Sequence, residues 1–153
     1  MPKRLAIVGL GPGSAAQLPP AALEVMRRSE IVLFRTDQHP AWEALPGLGI
    51  QACSFDHLYQ RASDLEQVYA EIAVEVLRQA MERDVAYCVP GSPLFAEQSV
   101  KLLLTQAKAA GVAVTLINGP SSLDLALERL RLDPPRRVAH SGRARPADRV
   151  RWP

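Results

Sequence analysis

Three short segments combine glycine, proline and serine in a way that suits a grip on a small molecule by backbone groups. They are Gly9-Leu10-Gly11-Pro12-Gly13-Ser14, Pro90-Gly91-Ser92-Pro93-Leu94 and Asn118-Gly119-Pro120-Ser121-Ser122. Each follows a β-prone run and leads toward a helical segment. Glycine permits close backbone approach to a ligand, and the free amides that open a helix favour an anionic group such as a carboxylate. The same composition also serves ordinary strand-to-helix turns, through turn geometry and N-capping. Two ligand classes are disfavoured. The dinucleotide fingerprint needs Gly or Ala where Ser14 stands, and Pro12 stiffens the turn; a phosphate-binding P-loop needs a Gly-Lys-Ser/Thr that the chain lacks.

Few side chains offer themselves for other chemistry. His39 precedes a proline and His57 lies in a loop-like stretch, so both are expected as surface or turn residues, with Asp56 and Tyr59 read the same way. Asp124, three residues into its helix, is expected to complement the helix dipole rather than act as an acid. Cys53 and Cys88 have no His or Cys at metal-ligand spacing and are expected as buried packing thiols, with no metal site.

The elements that must position the loops follow from periodicity. Arg4–Val8, closed by Gly9, reads as a strand, and a helical stretch runs from Pro19-Pro20 through Leu23 and Met26 to Arg28. Glu30–Phe34, Gly49–Phe55, Val85–Val89 and Val112–Ile117 read as further strands. Between them, a helix over Asp64 to about Glu82 buries Leu65, Val68, Tyr69, Ile72, Val76 and Ala80, opened by a capping box of Ser63 and Glu66. Another helix is predicted from Pro93 to near Gly111, burying Val100, Leu103, Leu104 and Ala107. Five strands alternating with helices imply a three-layer, doubly wound α/β fold with a mostly parallel sheet. Ligands of such sheets bind beyond the carboxyl ends of the strands, where the three loops lie.

Composition bounds the rest. The chain has 153 residues, 48% hydrophobic and 22% charged, which suits one soluble domain. No apolar run reaches the roughly 18 residues of a membrane span, and no signal-peptide core opens the chain, so a cytoplasmic protein is expected. Residues 1–135 carry 12 Lys/Arg against 15 Asp/Glu, whereas 136–153 carry six Arg against one Asp. That basic tail has no aromatic interleaving beyond Trp152 and the body has no basic face, so nucleic-acid binding is not expected.

Together the three loops resemble the tetrapyrrole methylase superfamily, which includes uroporphyrinogen and precorrin methylases and diphthine synthases. In that family GxGPG follows the first strand, a GDP-type turn the fourth and a PG(x)SS-type turn the fifth; GLGPGS fits closely, PGSP and NGPSS in outline. The resemblance spans residues 4 to 133. It implies the sheet order 3-2-4-1-5, with the loops side by side, and S-adenosylmethionine as methyl donor. It further implies a cofactor site at Gly9, Gly11, Pro12, Gly13, Pro90, Gly91, Ser92, Pro93, Leu94, Gly119, Ser121 and Ser122, and singles out no residue as general base. Arg35-Thr36-Asp37-Gln38-His39-Pro40, Ser54 to Tyr59 and Val89 to Glu97 resemble the subgroup fused to MazG-type nucleoside triphosphate pyrophosphatases, in which the Asp of the second turn is commonly replaced, as Ser92 replaces it here.

Family members continue into a second α/β domain that closes the cofactor cleft. Here residues 1–135 read as the cofactor-binding domain, and 136–153, without apolar periodicity, as a linker or aberrant terminus. The expectation is therefore a methyltransferase half with weak or no activity alone, its methyl acceptor unspecified, with a homodimer as one source of the missing wall. The alternative is a non-catalytic interaction module that partners a MazG-type pyrophosphatase.

Overall fold

The computed structural model describes residues 4–132. Its strands are β1 (Arg4–Gly9), β2 (Ile31–Phe34), β3 (Cys53–Ser54), β4 (Val85–Val89) and β5 (Ala113–Ile117). They form one sheet in the order β3-β2-β4-β1-β5, every pair parallel, which is the expected doubly wound topology. The helices are α1 (Pro20–Arg28), α2 (Asp56–Arg61), α3 (Leu65–Glu82), α4 (Gln98–Ala109) and α5 (Ser122–Leu130). The expected basic tail, residues 136–153, lies outside the described residues.

Side-chain alternation along the central strands divides the core into two layers. Leu5, Ile7, Leu33, Val85, Tyr87 and Val89 face α3 and α4, where Ile72, Val76, Ala80, Val100, Leu103 and Ala107 meet them. Ala6, Val8, Val32, Phe34, Ala86 and Cys88 face α1 and the segment after β2, packing on Ala22, Met26, Ala41, Leu45 and Ile50. Strands buried on both faces read as near-continuous apolar runs, as Leu-Ala-Ile-Val and Val-Ala-Tyr-Cys-Val do here. This central slab fixes the carboxyl ends of β1 and β4 with nothing left to slide.

The structure corrects several expectations. The third strand is Cys53–Ser54 rather than Gly49–Phe55, because Pro46 to Leu48 coil into a 3-10 turn and only two residues reach β2. Cys53 therefore sits exposed on the sheet edge, while Cys88 is buried. His57, Asp56 and Tyr59 lie on the short helix α2 rather than in a loop. The cap of α3 is Asp64, whose carboxylate accepts from the Glu66 amide at 3.0 Å, and not a Ser63–Glu66 box; Leu65, first in the helix, remains exposed. Helix α4 opens at Gln98, four residues after Leu94, because Phe95 closes a turn onto the Ser92 carbonyl and Ala96 takes a left-handed φ of 53°.

At the far edge, β5 is largely exposed and α5 buries none of its residues; Leu130 is 66% exposed. Stability should therefore be concentrated in the slab. Leu103→Ala is expected to cost about 2–5 kcal/mol through the cavity it leaves, and Leu130→Ala to change stability by less than about 0.5 kcal/mol. Urea unfolding of the two variants checks the contrast.

Candidate functional site

The three loops meet above the carboxyl ends of β1, β4 and β5. The first two are stitched by a reciprocal backbone pair: the Gly11 amide donates to the Gly91 carbonyl and the Gly91 amide to the Gly11 carbonyl, each at 3.0 Å. Both glycines sit at left-handed φ, 69° and 68°, which an L side chain rarely adopts. The third loop closes on the first by contact. A Cβ on Gly9 would lie 2.7 Å from the Gly119 amide nitrogen and 2.8 Å from the Gly91 carbonyl, and one on Gly119 would lie 2.7 Å from the Gly9 carbonyl. Ser92 ties the second loop to the third, its hydroxyl donating to Asn118 Oδ1 at 3.0 Å.

The twelve expected site residues thus fall into one cluster, but with divided roles. Gly9, Gly11, Gly91 and Gly119 use their backbone groups or their lack of a side chain to join the loops. Pro93 is buried against Gly9. Ser121 is buried as the N-cap of α5: its hydroxyl donates to Asp124 Oδ2 at 2.7 Å, its amide donates to the same oxygen, and the Asp124 amide closes the capping box. Asp124 accordingly caps the helix, and those hydrogen bonds hold its carboxyl below the ordinary value of 3.8. Pro12, Gly13, Pro90, Ser92, Leu94 and Ser122 keep surface toward solvent and are free to touch a ligand. No charged side chain belongs to any of the three loops.

A polar cluster beside the loops was only half visible in the sequence. Arg35 follows β2 and pairs with Glu97 at 3.5 Å, the Glu97 side chain being 5% exposed. Ser99 donates to Glu97 Oε1 at 2.8 Å, which leaves the Tyr87 hydroxyl as donor to Ser99 Oγ at 2.7 Å. Burial pushes the Tyr87 phenol well up, so it stays a donor, and burial likewise holds Tyr59 up at about 12. Asp56 accepts from Thr36 Oγ1 and from the Asp37 amide, both at 2.7 Å. Burial alone would raise its carboxyl, but the hydrogen bonds from Thr36, Asp37 and Ser54 outweigh this and leave it below 3.8. Tyr87 and Ser99 carried one signal: a tyrosine amid an apolar strand needs a partner for its hydroxyl.

His39 departs furthest from expectation. It is 7% exposed, not a surface residue, and Nε2 lies 2.8 Å from the Gly11 carbonyl while Nδ1 accepts from the Ala41 amide at 3.1 Å. The Arg35–Pro40, Ser54–Tyr59 and Val89–Glu97 motifs therefore converge on one end of the sheet. Among the described residues no group of three or more His, Cys, Asp and Glu is placed to hold a metal, and no helix is long and apolar enough to cross a membrane.

The family model for Tetrapyrrole (Corrin/Porphyrin) Methylases matches residues 4–151. The chain belongs to this family. It is 34% identical over 134 residues to the uncharacterized protein YabN of Bacillus subtilis (strain 168), covering 88% of this chain and 27% of that protein. The chain thus spans about a quarter of the length of this curated relative. Among solved structures the fold is similar to a diphthine synthase (TM-score 0.65, 19% identity, 82% of this chain and 47% of that one). It is also similar to a cobalt precorrin-4 methyltransferase (TM-score 0.62, 18% identity, 84% and 50%) and to the uroporphyrin-III-C-methyltransferase of Thermus thermophilus (TM-score 0.60, 24% identity, 86% and 53%). At these identities the likeness shows the shared fold.

Two outcomes follow from the site's packing. Gly9→Ala is expected to destabilise the protein by about 1–3 kcal/mol by forcing the loops apart, whereas Gly47→Ala, whose Cβ meets nothing within 4 Å, should be neutral or stabilising by up to about 1 kcal/mol; thermal melts compare them. Asp56, lowered in the folded state, contributes stability that is present above 3.8 and lost as pH falls through its folded value. Asp56→Asn should flatten the acid limb of a stability–pH curve below pH 3.8.

Proposed function

We propose that the three loops form the S-adenosylmethionine-binding wall of a methyltransferase of this family. Members of the family use that molecule as methyl donor, and the observation that carries the reading here is the convergence of all three loops at one end of the sheet. The lining suits the ligand. It is free of charged side chains, presents backbone and small polar groups, and packs too tightly at Gly9 and Gly119 to admit a Cβ. Pro12 and Gly13 would border the ligand, Ser92 and Leu94 would meet its methionyl part, and Ser122 at the start of α5 would offer a free amide to its carboxylate.

When bound, the donor supplies an activated methyl group whose bond to sulfur breaks as the bond to the acceptor forms. Such an in-line displacement needs donor and acceptor held in line and water kept out, not a nucleophilic side chain. The chain's own contribution is a rigid wall: the Gly11–Gly91 pair and the Ser92–Asn118 bond fix the loops before any ligand arrives.

A ligand of this size needs most of its surface buried to bind well, and three loops cover one side. We read residues 1–135 as the cofactor-binding half and place the second wall outside it, in a further α/β domain or a second copy of the chain. The solved neighbours support this, since the chain covers only about half of each. Weak binding and little turnover alone are the expectation, in a cytoplasmic setting and toward a small acceptor.

A second reading, a non-catalytic module partnering a MazG-type nucleoside triphosphate pyrophosphatase, is favoured by the subgroup motifs and by the leucines of α5, none of them buried. Calorimetric titration with S-adenosylhomocysteine separates the two. Binding is expected for the wild type and should weaken at least tenfold, about 1.4 kcal/mol, in Ser122→Trp, which places bulk on an exposed position at the wall. A wild type that takes up no ligand at millimolar concentration would favour the module.

A further inference from the structure

Resting on the reading of the loops as a cofactor wall, we propose that His39 is the positioning residue of the first loop. It acts as the Nε2–H tautomer, whose bond to the Gly11 carbonyl holds the loop in the shape that cofactor binding needs. Four observations lead there. The ring is almost wholly buried, and each nitrogen has one backbone partner. The Ala41 amide is a donor, so Nδ1 must be the acceptor; Nε2 therefore carries the proton and donates to the Gly11 carbonyl. That carbonyl is the same one that accepts from the Gly91 amide, so its two lone pairs are filled by His39 and by the second loop. Finally, Gly11 holds a left-handed conformation at the turn, and the histidine bonds its carbonyl, the group that a flip of the following peptide would move.

The opposite tautomer does not fit: a proton on Nδ1 would confront the Ala41 N–H, and a bare Nε2 would face the Gly11 carbonyl as a second acceptor. The ionisable groups near the ring are few. Asp37 and Glu43 come from its own segment and line the recess beside it, with the Asp37 side chain already accepting from Gln38. The first loop, the Pro90–Leu94 loop and Pro120 bring none. The Arg35–Pro40 motif thereby acquires a structural role, reaching across from β2 to hold a loop that belongs to β1.

Two variants of similar shape separate positioning from mere packing. In His39→Gln the amide nitrogen reaches where Nε2 stands and keeps the bond to Gly11; in His39→Asn the side-chain oxygen reaches the Ala41 amide but nothing reaches Gly11. Hydrogen–deuterium exchange of the peptide covering residues 9–14 and S-adenosylhomocysteine affinity are both measured at neutral pH. The expected result is faster exchange in the Asn variant only. Asn affinity should be about tenfold weaker than wild type, and Gln affinity should lie within about threefold of wild type. Unchanged loop exchange in Asn, or equal losses of affinity in Asn and Gln, would each overturn the proposal. Should exchange respond as expected while wild type binds no ligand, the latch stands and the cofactor reading fails.

Discussion

A pair of hydrogen bonds between Gly11 and Gly91 is the constraint on which the site depends. It joins the turn after β1 to the turn after β4, and it exists only because both residues occupy a backbone region closed to most side chains. With the pair in place, Gly9 and Gly119 can pack at a separation that excludes a Cβ, and the third loop falls in line. The three loops are thus joined into one surface by the protein's own backbone groups.

That assembly needs strand ends that do not move. Burying β1 and β4 on both faces supplies them, because any slip in register would drive a whole row of side chains from one packed layer into the other. The edge strands are different. β3 spans two residues and β5 is mostly exposed, so burial falls off outward from the centre. The loops that matter most follow the two central strands and the edge strand β5, which leans on β1 along its full length.

Around this wall the polar side chains act mainly on one another. Asp56 binds the turn after β2, the Tyr87–Ser99–Glu97–Arg35 chain carries polar contact from the core to the strand ends, and Asp124 closes the cap of α5. Their carboxylates and hydroxyls find partners within the protein, which avoids the cost of isolating a polar group from water, while Arg35 Nε is buried without one. They fix the turns and strand ends around the loops.

The sequence by itself determined the fold class, the strand order through the family's motifs, and the identity of the three loops. The fold class and the loops rest on local properties, namely β-prone runs, a 3.6-residue stripe on α3 and glycines at strand ends, whereas the strand order rests on the resemblance alone. Only the tertiary structure decided what each loop residue does. Periodicity cannot reveal that Gly11 bonds to Gly91, 80 positions away, or that a histidine before a proline turns inward to hold a carbonyl, since both depend on which strand ends become neighbours. The same holds for the misplaced starts of β3 and α4 and for the exposure of Cys53. In each, a local signal was outweighed by whether the chain could reach a partner, and reach is a property of the assembled sheet.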